Sequence, residues 1–312
     1  MSKFKGQIAL LIAAIIWGSS FIFQKMGMDF MSPFTFGFYR FFLGSLALLP
    51  VIWIYSKFNK RKPIEERTEI TSWTDKTLII GSLFCGVGGF VAASLQQIGI
   101  VYTTAGKAGF ITSMDIVIVP IFMIFLRQKV SRITWLGVAI ALIGLWMLCI
   151  TDGFTIAVGD AFVMGCAIAY SFQIMFIDYY SERVDVLKLS FMQFFLTGIL
   201  SLIAALLTET IELQALIDCI GPVLYVAILE VSIAFTLQVV GQKYTSAASA
   251  ALIMSLESVF AVVCGALFLN ETMSGRELAG CAIMFIAFII TQIPDMISGS
   301  KNECGARSEE RR

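Results

Sequence analysis

The amino-acid sequence predicts an all-α membrane protein in which about ten transmembrane helices form two inverted five-helix repeats. Hydrophobic residues make up 58% of the 312 residues and charged residues 14%, whereas soluble domains are usually about 45–50% apolar and about 25% charged. The apolar residues form long runs that recur with short polar breaks. One stretch also occurs twice, because residues 94–128 align with residues 236–270 without a gap. Together these observations favour two halves built on one plan.

The first half of the chain contains apolar runs that are each close to the length of a membrane-crossing helix. Such a helix needs about 20 residues at a rise of about 1.5 Å each, and continuous apolar runs argue against barrel strands. In the first run, Trp17, Phe21 and Phe23 extend the apolar segment beyond the length of a cleaved signal peptide. We predict helices near residues 7–26, 33–56, 77–100, 105–126 and 133–151.

The second half repeats this organisation after a polar segment around Asp152. We divide the chain into a first repeat, 1–151, a second repeat, 152–297, and a polar tail, 298–312, that we expect to be disordered. The helices of the second repeat are predicted near residues 157–178, 188–208, 219–241, 246–269 and 275–297.

The distribution of lysine and arginine predicts that both termini face the cytoplasm. With the N-terminus inside, most basic residues of the short loops, including Lys60, Arg127 and Lys243, lie on the cytoplasmic side. The outer loops around Asp152 and over residues 209–218 carry acids only. Because each half holds an odd number of spans, the second half enters the membrane from the opposite side, which makes the repeat inverted. We expect a multi-pass protein of the cell membrane.

Two acids occupy matched positions inside apolar runs, because Asp115 aligns with Glu257 in the repeat. A charge at the bilayer centre costs about 2.5–3.5 kcal/mol on insertion scales, so such residues usually face a cavity or a partner. The alternative for both acids is a buried strut between helices. Lys107, two turns before Asp115 on the same face, is either a counter-charge or an interfacial anchor. We expect Glu257 to bind a proton or a cationic group and Asp115 to be more structural.

Polar and aromatic residues recur on one face of the first, third, sixth and eighth predicted helices. They could offer stacking and hydrogen bonds to a small molecule in a pocket, with simple packing as the alternative for Trp17. Arg40 is expected to pair with an acid across helices. Together with the two acids, the candidate binding residues are Trp17, Ser20, Gln24, Gln96, Asp115, Tyr170, Gln173, Glu230, Gln238 and Glu257.

The sequence also disfavours several classes of function. It has no histidine, which is the commonest metal ligand and proton-transfer side chain, and its cysteines form no CxxC pair. We therefore expect no metal, no cofactor and no enzymatic activity. The lack of a GxxxxGK[ST] motif argues against ATP as the energy source. The lack of a basic face with interleaved aromatics argues against nucleic acid as a partner.

Three short motifs point to a known family. Residues 16–21 read Ile-Trp-Gly-Ser-Ser-Phe, residues 39–41 read Tyr-Arg-Phe, and residues 256–261 read Leu-Glu-Ser-Val-Phe-Ala, with Leu-Asn-Glu at 269–271. They resemble the first-, second- and ninth-helix motifs of the EamA branch of the drug/metabolite transporter superfamily. Ser258 replaces the usual proline, and Asn270 the usual glycine. The resemblance covers about the whole chain and implies a carrier of two five-helix halves that exports metabolites, often amino acids or drugs.

The sequence thus predicts a secondary transporter that exports a small metabolite, amino acid or drug-like compound by alternating access. Its expected partners are that small molecule, the lipid bilayer and a proton as coupling ion, with no oligomer required. The alternative is a receptor-like or structural membrane protein, although such a protein would not need acids repeated at the membrane midplane.

Overall fold

A computed structural model describes residues 3–61, 71–103, 105–128, 130–149, 158–268 and 274–291, and within these ranges the chain is helical apart from turns and short connections. The predicted all-α fold is confirmed. The helices of the first half are α1 Lys3–Met28, α2 Pro33–Arg61, α3 Lys76–Tyr102, α4 in two parts, Ala105–Thr112 and Asp115–Phe125, and α5 Arg132–Cys149.

The second half has a matching set of helices and one extra short helix, Leu213–Asp218. The predicted tail 298–312, and the predicted helix ends at 150–151, 157, 269 and 292–297, lie outside the described residues. The helices are α6 Val158–Ser181, α7 Val186–Thr208, α8 in three parts, Ile220–Tyr225, Val226–Phe235 and Thr236–Gln242, α9 in two parts, Ala247–Met254 and Glu257–Phe268, and α10 at residues 275–291.

The surface of the helix bundle is apolar and part of its interior is polar. In the described part of the chain, eight helices are long and apolar enough to cross a membrane, and the apolar helix Arg132–Leu148 is shorter. Leu207 is 79% exposed and Trp53 59%, whereas Gln193 is 1% exposed. A soluble domain rarely exposes so much apolar surface, so this arrangement fits a bundle surrounded by lipid.

Paired glycines let four of the helices cross in close contact. A Cβ atom added to Gly6 in α1 would lie 3.0 Å from the carbonyl oxygen of Gly241 in α8. One added to Gly99 in α3 would lie 3.1 Å from the carbonyl oxygen of Gly159 in α6. Any larger residue would push these backbones apart, because small residues are what permits close helix approach in membranes.

Helices α4 and α9 are each interrupted at the same place in the internal repeat, whereas the sequence analysis predicted both as continuous. The N–H of Met114 donates to the carbonyl of Ile111 at 3.1 Å, and the N–H of Leu256 to that of Ile253 at 3.2 Å. These bonds span three residues rather than four, so each helix tightens and restarts. Asp115 and Glu257 begin the second parts.

Serine hydroxyls lie at both interruptions, and one of them bonds to the backbone of its own helix. The hydroxyls of Ser113 and Ser258 lie 3.0 Å apart across the α4–α9 contact, and the Ser255 hydroxyl donates to the carbonyl of Leu252 at 2.9 Å. Such local bonds compete with the regular helix ladder. The interruption of α9 therefore occurs without the proline that Ser258 replaces.

Helix α8 contains a π-helical segment, Val226–Phe235, which the sequence analysis predicted as part of an ordinary helix. The Ser232 hydroxyl donates to the carbonyl of Gly44 in α2 at 2.6 Å and to that of Ala227 at 3.0 Å. Wider turns of this kind often occur at functional sites. Here the segment carries Glu230 into the interior of the bundle.

The carboxylate of Glu209, just after α7, caps the first turn of α2. It accepts hydrogen bonds from the backbone N–H groups of Phe34 at 2.9 Å and Thr35 at 2.8 Å, and from the Thr35 hydroxyl at 2.7 Å. Glu209→Ala is expected to lower the free energy of unfolding by about 1–2 kcal/mol, because these donors lose their acceptor. Thermal unfolding of detergent-solubilised protein would measure the loss.

Glu212→Ala is the matched control for this prediction, because Glu212 lies in the same connection but its side chain forms no capping hydrogen bond. Equal melting temperatures for the two variants would show that the Glu209 cap contributes nothing to stability.

Candidate functional site

A narrow cavity of about 50 Å³ lies in the centre of the bundle, next to the interruptions of α4 and α9. It is lined from α1, α3, α4, α6, α8 and α9 by Trp17, Phe21, Gln24, Gln96, Thr112, Asp115, Tyr170, Ile174, Glu230, Phe235, Gln238, Met254, Ser255 and Glu257.

Most of the residues that the sequence analysis selected meet in this cavity, from helices far apart in the chain. Ser20 and Gln173 do not line it. The Ser20 hydroxyl donates to the carbonyl of Ile16 at 2.8 Å, and the Gln173 amide donates to the carbonyl of Cys85 in α3 at 3.3 Å. The selected residues that do line it are Trp17, Gln24, Gln96, Asp115, Tyr170, Glu230, Gln238 and Glu257.

Glu230 is neutralised by a buried arginine. Its Oε1 lies 3.1 Å from Nη1 of Arg40, and its Oε2 accepts a hydrogen bond from the Gln24 amide at 3.0 Å. The side chains of Arg40 and Glu230 are 1% and 4% exposed. The predicted pairing of Arg40 with an acid across helices is therefore confirmed, and it ties α2 to α8.

Asp115 and Glu257 line the same cavity without such a partner. Asp115 is buried, and its Oδ1 has no hydrogen-bond partner among the described residues. No lysine or arginine stands among the described residues that line the cavity, and the Lys107 side chain, the proposed counter-charge, lies outside the description. Each acid occupies the first turn of a restarted helix, where the helix dipole favours negative charge.

The remaining lining is aromatic with a few unpaired polar atoms. The rings of Trp17 and Phe235 meet edge to face with centroids 4.9 Å apart. Within the described part of the chain, Nε1 of Trp17, Oε1 of Gln24 and Oε1 of Gln238 are buried without hydrogen-bond partners. Because buried polar groups are normally paired, these atoms are available to a bound molecule.

Among the described residues, no group of three or more histidine, cysteine, aspartate or glutamate side chains is placed to hold a metal ion.

Comparisons with known proteins agree with this architecture. A protein of Archaeoglobus fulgidus described as an uncharacterized transporter is 31% identical over 299 residues, covering 94% of this chain and 87% of the other. The uncharacterized transporter YwfM of Bacillus subtilis is 22% identical, covering 90% and 91%. A crystal structure of a protein with 17% identity superposes with a TM-score of 0.72, covering 92% of this chain and 96% of the other, which shows a shared fold.

The family comparison covers nearly the whole chain. The model of the EamA-like transporter family matches it twice, over residues 4–150 and 157–292. The chain therefore belongs to the EamA-like transporter family and is a multi-pass membrane transporter.

Proposed function

We propose that the protein is a secondary transporter that exports a small organic molecule by alternating access, with the central cavity as its substrate site. The observation that carries the proposal is the position of Asp115 and Glu257. Both line one cavity, both begin a restarted helix, and neither has a cationic partner among the described residues. Interrupted helices whose ends point into a central site are characteristic of secondary transporters.

Alternating access needs two structurally similar halves that can exchange conformations. The close helix crossings support the presence of two such halves. The start of α1 crosses the end of α8 at Gly6 and Gly241, and the start of α6 crosses the end of α3 at Gly99 and Gly159. A two-fold axis that exchanges α1 with α6 and α3 with α8 would exchange these crossings. We therefore propose that 1–151 and 152–297 are inverted repeats.

With both termini in the cytoplasm, the Gly6–Gly241 crossing would lie at the inner end of the bundle and the Gly99–Gly159 crossing at the outer end. The cavity would lie between the two levels. Opening at one end while the other stays closed would expose the cavity to one side of the membrane at a time, and a proton on Glu257 would accompany one of these states.

The proposed topology can be tested by labelling single cysteines in intact cells. In a variant without the native cysteines, Glu212→Cys is expected to react with a membrane-impermeant maleimide, because its connection would face outward. Lys60→Cys should react only after the membrane is permeabilised. Strong labelling at position 60 in intact cells would overturn the proposed orientation.

Transport itself is tested by counterflow in proteoliposomes. A screen of amines, amino acids, purines and sugars for thermal stabilisation identifies a ligand, because binding to the folded state raises the unfolding temperature. Vesicles loaded with that ligand should then accumulate the labelled form transiently. A ligand that binds tightly without any counterflow would contradict the transporter proposal.

Trp17 is expected to act in substrate binding more than in stability. Trp17→Ala should weaken binding of the ligand found in the screen by about tenfold or more, because it removes a large aromatic wall of the cavity. Trp135→Ala is the control, since Trp135 lies on α5 and does not line the cavity. Loss of folded Trp17→Ala protein with unchanged affinity in the surviving fraction would assign Trp17 to packing.

A further inference from the structure

We propose that the cavity binds organic cations that carry an ammonium group with N–H donors on an apolar body, and that it rejects molecules whose ammonium is accompanied by a carboxylate. The proposal rests on the assignment of this cavity as the substrate site and narrows its substrate class. Three properties of the lining carry it: its charge, its unpaired hydrogen-bonding atoms and its apolar walls.

The charge of the lining favours a cation. Asp115 and Glu257 supply two carboxyl groups, whereas the charge of Glu230 is already compensated by Arg40 at 3.1 Å. A substrate carboxylate would need a cationic partner in a site of low dielectric constant, and the described lining residues include no free lysine or arginine. Next to two acids, such a carboxylate would instead be repelled.

The unpaired polar atoms favour a ligand that donates hydrogen bonds. Among the described residues, three acceptor atoms of the lining have no hydrogen-bond partner: Oδ1 of Asp115, Oε1 of Gln24 and Oε1 of Gln238. One donor, Nε1 of Trp17, is also unpaired there. A protonated primary amine supplies three N–H donors and no acceptor. A quaternary ammonium group carries the same charge but satisfies none of these acceptors.

The walls fit an apolar body attached to the charged group. Phe21, Ile174, Phe235 and Met254 provide apolar surface, and Trp17 and Tyr170 add aromatic faces that attract cations. A short phenylalkyl or alkyl chain would therefore remain in contact with the walls while its ammonium group approaches the acids.

Four probes with the same phenylalkyl body test the proposal on the purified full-length protein. They are 2-phenylethylamine, its N,N,N-trimethyl derivative, phenylalanine and 3-phenylpropionate. Thermal stabilisation and calorimetry are expected to show about tenfold tighter binding of the primary amine than of phenylalanine or of the trimethyl derivative, and no binding of the carboxylate. A failure of 2-phenylethylamine to bind at millimolar concentration, or equal binding of phenylalanine, would overturn the proposal.

Two variants locate the interaction. Glu257→Gln should weaken binding of 2-phenylethylamine by about tenfold or more, because the charge opposite the ammonium group is lost. Glu182→Gln is the matched control, since Glu182 follows α6 and borders a separate cavity. If Glu257→Gln and Glu182→Gln bind 2-phenylethylamine with equal affinity, Glu257 does not contact the ammonium group. If Glu257→Gln does not fold, the four probes on the unmodified chain still decide the substrate class.

The substrate class and the transport proposal fail in different measurements. Preferential amine binding without counterflow of labelled amine would leave the ligand class standing and refute the carrier. Counterflow of phenylalanine without any preference for the amine would support the carrier and refute the proposed ligand class.

Discussion

Replacing Glu257 with glutamine is expected to abolish substrate uptake driven by a pH gradient, reducing it to the level of vesicles without protein. Glutamine has nearly the shape of a protonated glutamate but cannot gain or lose a proton. A carrier that exchanges a proton for its substrate would then lose the link between the two gradients. Exchange of labelled for unlabelled substrate at saturating concentration, without a pH gradient, is expected to continue because Asp115 remains in the cavity.

The measurement is uptake into proteoliposomes with an imposed pH difference, with Glu182→Gln as the variant that makes the same chemical change outside the cavity. Protein recovered at the normal elution volume would show that the fold is intact. Wild-type pH dependence in Glu257→Gln would identify the acid as a hydrogen-bonding strut, and the coupling hypothesis would be wrong.

Arg40→Met should cause the largest loss of stability of any single change considered. Removing one member of a buried ion pair commonly costs about 3–5 kcal/mol, because the remaining charge is buried without compensation. Here the remaining charge would be Glu230, which loses its cationic partner and keeps neutral hydrogen-bond donors such as the Gln24 amide at 3.0 Å. Chemical unfolding in detergent would measure the change.

The double variant Arg40→Met with Glu230→Gln is expected to recover much of that stability, since no charge then remains unpaired. Arg276→Met is the control, because Arg276 packs on the ring of Trp146 in an exposed contact. If the effects of Arg40→Met and Glu230→Gln simply add, the two residues are not energetically coupled.

The positions of the helices could be predicted because lipid offers no hydrogen-bond partners to the backbone. Each membrane-crossing segment must therefore be a helix, and it appears in the sequence as a long apolar run. Helix α7 was predicted at 188–208 and runs from Val186 to Thr208. The interruptions in α4 and α9 could not be predicted in this way, since the apolar runs continue through them and the Ser113–Ser258 contact beside them joins residues far apart in the chain. The bond from Ser232 in the π-helical segment of α8 to Gly44 in α2 likewise joins distant residues.

The polar part of the cavity was predictable for a related reason, because an acid within an apolar run must face something other than lipid. The apolar part of the cavity could not be predicted, since the sequence does not distinguish apolar side chains that face lipid from those that face a cavity. The residues concerned are Phe21, Ile174, Phe235 and Met254. Ser20 does not line the cavity, and its hydroxyl bonds to the carbonyl of Ile16 on its own helix, as a serine in a helix can.

The edge-to-face contact of Trp17 with Phe235 has an optical consequence. The chain contains five tryptophans, and within the described residues only Trp17 lines the cavity. Its ring forms part of the cavity wall, so an ammonium group brought next to it by a bound molecule would change the polarity around the excited ring. In a variant that keeps Trp17 and carries phenylalanine at positions 53, 73, 135 and 146, the emission spectrum becomes a direct signal of cavity occupancy, readable in real time without a labelled substrate.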